Sequence, residues 1–105
     1  MLRAMPGLIE RYRDRLPFAP EDPVISLQEG STPLVLAPRV SERAGAEVWL
    51  KLEGANPTGS FKDRVVSVAL TKARELGFKV AACASTGNLA NSVAAHAARA
   101  GMQSV

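Results

Sequence analysis

The chain has 105 residues, 47% of them hydrophobic and 22% charged, a balance that suits one small domain or a piece of a larger one and excludes a disordered chain. Its 13 basic residues are scattered among 10 acidic ones, giving a formal net charge of +3; without a basic cluster, this argues against a nucleic-acid binder. No apolar run is long enough to cross a bilayer, and the single cysteine, Cys83, excludes an internal disulfide.

Six of the seven prolines fall in the first 46 residues, so segment 1–46 is predicted to be mostly extended and irregular. Met1–Pro6 has neither a long apolar core nor a cleavage pattern, so no signal peptide is expected and the cytoplasm is the default compartment. Leu8, Ile9, Tyr12 and Leu16 fall on one side of a short amphipathic helix over 8–16. Val24–Leu27 reads as a short strand, and Gln28-Glu29-Gly30-Ser31-Thr32-Pro33 as a turn.

Beyond Gly45 the pattern changes. Glu47–Glu53 alternates as a strand does, and 54–60 is a loop. A helix is predicted from Phe61 to about Leu76, with Val65, Val66, Ala69, Leu70, Ala73 and Leu76 as its apolar stripe and Gly77 as its stop. Val80–Ala84 is the kind of apolar run a buried parallel strand needs. Ser85-Thr86-Gly87 leads into a helix over 88–100 that Gly101 ends, and Met102–Val105 starts another strand. The order strand, helix, strand, helix, strand predicts an α/β fold with a parallel sheet over 47–105. Loops 54–60 and 85–88 should then sit on one side of that sheet, at the strand ends where ligands bind.

Both loops carry candidate chemistry. In Asn56-Pro57-Thr58-Gly59-Ser60-Phe61-Lys62-Asp63-Arg64, Thr58 and Ser60 are N-cap types and Asp63 suits a first helical turn. Lys62 does not suit it, because a cation there meets the positive end of the helix dipole, and Arg64 adds charge nearby. Both effects favour a free amine, the form that attacks an aldehyde; a plain solvated lysine is the alternative. Ser85-Thr86-Gly87-Asn88 offers backbone N–H groups to an anion such as a carboxylate, unless Ser85 or Thr86 simply caps the helix. His96 reads as a solvated or packed histidine with no companions for a metal site. Cys83 reads as a small core residue, and Glu10 and Glu53 have no evident partner. No dinucleotide or nucleotide-phosphate loop is present.

Taken together, Gly59-Ser60-Phe61-Lys62-Asp63-Arg64 and Ala84-Ser85-Thr86-Gly87-Asn88 resemble the fold-type II pyridoxal-phosphate enzymes, the tryptophan synthase β-like group. With Tyr12-Arg13-Asp14, Leu16-Pro17 and Ser26-Leu27-Gln28-Glu29-Gly30-Ser31-Thr32-Pro33-Leu34, the chain is most similar within that group to the threonine synthases. The resemblance covers about Leu8 to Val105. It implies part of a three-layer parallel-sheet fold, pyridoxal 5'-phosphate as cofactor, and conversion of O-phospho-L-homoserine and water to L-threonine and phosphate.

Residue by residue, Lys62 matches the lysine that forms the Schiff base and then moves protons, Phe61 its neighbour, and Asn88 the asparagine that hydrogen-bonds the cofactor's phenolic oxygen. Ser85, Thr86 and Gly87 match the loop that receives the substrate carboxylate. Leu89 departs from the pattern, standing where many relatives have a hydroxyl residue. The resemblance also implies that the cofactor-phosphate loop and the contact to the pyridine nitrogen lie beyond Val105. Segment 47–105 is therefore expected to be an incomplete domain, and the chain alone an inactive fragment. Neither a metal nor a membrane is implied, and a homo-oligomer is compatible with the whole protein. A threonine or serine dehydratase, or another elimination or replacement enzyme of the group, is the near alternative; a non-catalytic α/β binding module is the distant one.

Overall fold

A computed structural model describes residues 5–105; Met1–Ala4, the start of the segment without a signal-peptide pattern, lie outside the described residues. Helix α1 (Leu8–Tyr12) continues as a 3-10 turn over Arg13–Arg15, close to the helix predicted over 8–16. The Glu10 carboxylate accepts the Gly7 N–H at 2.9 Å, a first-turn acid reaching back to a donor the helix leaves unpaired. Ile9 on its inner side is fully buried.

Val24–Leu27 is not a strand. Its backbone donors are taken by side chains instead: the Ile25 N–H goes to Thr71 Oγ1 at 3.0 Å and the Leu27 N–H to the Glu29 carboxylate at 3.0 Å. The segment predicted as a turn, 28–33, is irregular chain rather than a regular turn, with φ of 65° at Gln28, 92° at Gly30 and 49° at Ser31.

The first 46 residues hold more regular structure than their prolines suggest. Strand β1 (Leu34–Leu36) and helix α2 (Pro38–Ala44) both lie there. Pro38 opens α2, where its ring supplies helical φ and its missing N–H costs nothing. Gly45 ends it in the left-handed region at φ 65°, ψ 24°, the conformation that favours glycine.

Strand β2 (Trp49–Lys51) falls within the predicted strand but has a different neighbour. It pairs antiparallel with β1, Leu34 opposite Lys51 and Leu36 opposite Trp49, so it does not join the predicted parallel sheet. The parallel pairing is between β3 (Val80–Ala81) and β4 (Gln103–Ser104), with Val80 opposite Gln103. Flanking bonds from Val105 N–H to Ala81 O (3.0 Å) and from Cys83 N–H to Val105 O (3.2 Å) extend this ladder.

Helices α3 (Lys62–Glu75) and α4 (Asn88–Ala100) fall close to their predicted bounds, and glycines with φ of 86° (Gly77) and 68° (Gly101) follow them. The two pack on each other and on β3. The core is Ile25, Val66, Leu70, Ala81, Val93 and Ala97, with Cys83 half-buried at its edge. Only part of the predicted α3 stripe turns inward. Val66 and Leu70 are buried, whereas Val65 and Leu76 are 56% and 67% exposed. The Cα radius of gyration is 16.2 Å, above the ~13 Å of a compact domain of this size, because the β1–β2 ribbon forms a sheet of its own.

Candidate active site

Lys62 is the first residue of α3, after a loop tied down by the aspartate beside it. Asp63 is fully buried. Its Oδ2 accepts the Thr58 N–H at 2.7 Å, and its Oδ1 accepts the hydroxyls of Thr58 at 2.5 Å and Ser92 at 2.6 Å. The carboxylate thus holds the loop to its own helix and to α4. Ser60 Oγ accepts the Lys62 N–H at 3.1 Å, which stiffens the residue before Phe61, the actual N-cap position. Thr58 does not cap the helix; its hydroxyl is committed to Asp63.

Lys62 is half-buried, with Nζ 4.2 Å from the centroid of the Phe61 ring, whose face attracts a cation. Arg64 is not the free positive charge the sequence suggested. Its Nε and Nη2 each donate to the Glu53 carboxylate at 2.8 Å, and Nη2 also reaches Thr32 Oγ1 at 3.1 Å. Glu53 therefore has a partner. Hydrogen bonds from Arg64, opposed by partial burial and reinforced by Thr32 and Asn56, hold its carboxyl down at about 2, and the Arg64 guanidinium is pushed up in turn, Glu53 being the main cause.

This cluster joins the two N-terminal motifs. The Asn56 amide donates to Glu53 Oε2 at 3.0 Å, its carbonyl accepts the Gly30 N–H at 3.0 Å, and Thr32 donates to Glu53 at 2.7 Å. The Glu29–Pro33 turn is thereby fastened to the lysine loop.

The second loop is less restrained. Gly87 is the N-cap of α4, without a side-chain cap; Ser85 Oγ accepts the Gly87 N–H at 3.3 Å, and neither Ser85 nor Thr86 caps the helix. Thr86, Gly87 and Asn88 are exposed and Ser85 is half-buried. A Cβ on Gly87 would meet nothing within 4 Å, so its backbone is open to an approaching group.

The lysine loop is tied to helix α4, which follows the second loop. The Asn91 amide donates to Thr58 O at 3.3 Å, and Ser92 binds Asp63; the packing of α4 on α3 joins them. The donor types suit pyridoxal phosphate: a primary amine at Lys62, a side-chain amide at Asn88, and the uncapped start of α4.

Sequence reasoning missed the buried charges. Glu29 and His96 are fully buried, with His96 Nε2 3.7 Å from Glu29 Oε2. His96 is packed rather than solvated. The spacing of Ser92 and His96 on one helix face was the only signal available. Among the described residues, no group of His, Cys, Asp and Glu could hold a metal, and no helix is long and apolar enough to cross a membrane.

Residues 25–105 match the family model described as pyridoxal-phosphate dependent enzyme. Threonine synthase from Mycobacterium leprae is 54% identical over 97 residues, covering 92% of this chain and 27% of that protein. Those from Halalkalibacterium halodurans (46%; 94% of this chain and 28% of that protein) and Methanocaldococcus jannaschii (48%; 90% and 24%) are similar. The chain thus spans about a quarter of the length of these relatives. A solved structure titled as an ACC deaminase homologue superposes with a TM-score of 0.67 at 20% identity, covering 95% of this chain and 30% of that one; at that identity it shows the α/β fold alone. The chain belongs to the pyridoxal-phosphate-dependent enzymes.

Proposed function

We propose that the protein carrying this chain is a threonine synthase that converts O-phospho-L-homoserine and water to L-threonine and phosphate. The observation that carries the reading is the lysine loop: a half-buried primary amine at the first turn of α3, in a loop held by the buried Asp63, on a helix packed against α4, whose start is uncapped. Relatives named threonine synthase at 46–54% identity support the choice of reaction.

Bound pyridoxal phosphate supplies an electron sink for the substrate's carbon skeleton. The chain's own part is positioning and proton transfer. Lys62 Nζ would hold the cofactor covalently, and as a free amine it would carry protons at that nitrogen. Phe61 flanks this amine, and the Asn88 amide would donate a hydrogen bond to the cofactor's ring oxygen. Ser85, Thr86, Gly87 and the free N–H groups of α4 receive the substrate carboxylate, as a helix N-terminus suits an anion. The cytoplasm is the compartment proposed.

In the whole protein, Lys62→Ala should abolish covalent cofactor binding. Borohydride trapping and peptide mapping should place the label on Lys62; a label on Lys51 or Lys72 would overturn the assignment. Stoichiometric phosphate release with threonine as product separates the reading from a dehydratase, which would yield a keto acid and ammonia.

A further inference from the structure

Glu29, Asp63 and His96 are fully buried, and the proposed reaction uses none of them directly. They form one chain of contacts. Ser92 donates its hydroxyl to Asp63 at 2.6 Å, and His96 Nδ1 lies 2.9 Å from the Ser92 carbonyl oxygen and 3.4 Å from Ser92 Oγ. His96 Nε2 faces Glu29, whose carboxylate accepts the Leu8 N–H (3.2 Å), the Leu27 N–H (3.0 Å) and the Ser26 hydroxyl (3.1 Å).

Proton accounting fixes the state of the ring. A carbonyl oxygen only accepts, so Nδ1 must carry a hydrogen. The Ser92 hydroxyl donates its one O–H to Asp63 and can only accept from the ring as well. Nε2 then points at a carboxylate already surrounded by donors. A neutral ring would set a lone pair against that anion in a buried site, which is costly; a doubly protonated ring sets an N–H there. Nε2 makes no hydrogen bond of its own; at 3.7 Å from Glu29 Oε2 its favourable contact is an ion pair, which only the charged ring can form.

We propose that His96 is a buried imidazolium clamped between Glu29 and the Ser92 carbonyl, and that it is a positioning residue for the Lys62 loop. It acts through Ser92, which the same turn of α4 sets against Asp63, while Glu29 joins the clamp to the N-terminal segment. The charged groups around the ring are Glu29 from the 28–33 turn and Asp63 from α3; Arg64, also on α3, acts on Glu29 from a distance and is tied to Glu53. Burial pushes His96 down, but the Glu29 contact and the Ser92 carbonyl outweigh it and raise the ring above its ordinary value. Burial likewise pushes Glu29 up, yet donors led by His96 bring it to about 2.

The positioning role rests on Lys62 being the cofactor's anchor; the charge of the ring does not. In the whole protein, nitrogen NMR of the ring, assigned by its loss in His96→Gln, should show both nitrogens protonated at neutral pH, with the proton leaving only above the usual ~6.5. A neutral ring at that pH overturns the clamp. Titrating pyridoxal phosphate by its bound absorbance, His96→Gln and Glu29→Gln should each weaken affinity about tenfold. Val93→Ala, which disturbs only the α4 core, should lower the melting temperature with affinity unchanged. Equal affinity losses in Val93→Ala and His96→Gln at matched destabilisation would reduce His96 to a structural residue. If His96→Gln does not fold, Glu29→Gln still decides, because affinity unchanged in that variant would overturn the positioning role. A borohydride label away from Lys62 overturns the positioning role while the ring resonances judge the clamp by themselves.

Discussion

In the loop before α3, Thr58 and Asp63 turn their polar groups inward onto each other and onto Ser92 of α4. In the β1–β2 ribbon, Leu34, Val35, Leu36, Trp49 and Leu50 stand 39–59% exposed. Successive strand residues point to opposite faces, so the ribbon shows apolar side chains on both. The first region holds its shape with short-range charge-assisted hydrogen bonds that need few residues. The second depends on apolar area, and a two-stranded ribbon alone has too little to bury. Geometry at Lys62 is therefore set within the chain, whereas the ribbon presents apolar surface for another surface to cover.

The comparison can be broken most directly at Asp63. Asp63→Ala leaves the Thr58 N–H and the Ser92 hydroxyl without an acceptor, so unfolding of the whole protein should become easier by about 4 kcal/mol. Denaturant titration measures this, and a loss below about 1 kcal/mol would show that the loop is held by something else. Next comes a matched pair of truncations. Leu70→Ala in the buried core should cost about 3 kcal/mol. Leu50→Ala in the ribbon should cost under about 1 kcal/mol unless the whole protein covers that face. Equal costs would show that the ribbon is buried there.

Acid tests the polar region alone. Glu53 and Glu29 both sit at about 2, well below an ordinary glutamate, so their folded forms bind fewer protons than the unfolded chain. Their stabilising contribution is complete above the unfolded value near 4.5 and drains away as pH falls toward 2. Glu53→Gln should flatten this acid slope in melts at successive pH values. His96 has the opposite sign. Being raised, its contribution is complete below the ordinary ~6.5 and is lost as pH rises through the folded value. Asn88→Ala should have the smallest effect on folding, because its side chain is exposed. If the proposed bond to the cofactor exists, turnover should nonetheless fall by about tenfold or more. Unchanged turnover would leave Asn88 as a helix-start residue.

The amino-acid sequence by itself determined the elements whose signals are local. Helices α3 and α4 were legible because apolar spacing and terminal glycines, with a first-turn acid in α3, all act within a few residues. The irregular course of 28–33 was legible from its glycine and proline chemistry, and the two candidate loops from residue types that only a resemblance could assign to a cofactor. Tertiary structure decided what depends on distant partners. Val24–Leu27 carries strand residues, but Thr71, 46 positions away, takes the Ile25 N–H, and no local pattern shows that. β2 found β1 rather than β3 because strand pairing is a contest between edges, which a single strand's periodicity does not record. Arg64 looked like a free cation until the fold brought Glu53 to it. The buried Glu29–His96 contact exists only once α4 lies against the N-terminal turn. Short-range backbone preferences are written in neighbouring residues, whereas the burial and pairing of charge are properties of the folded chain.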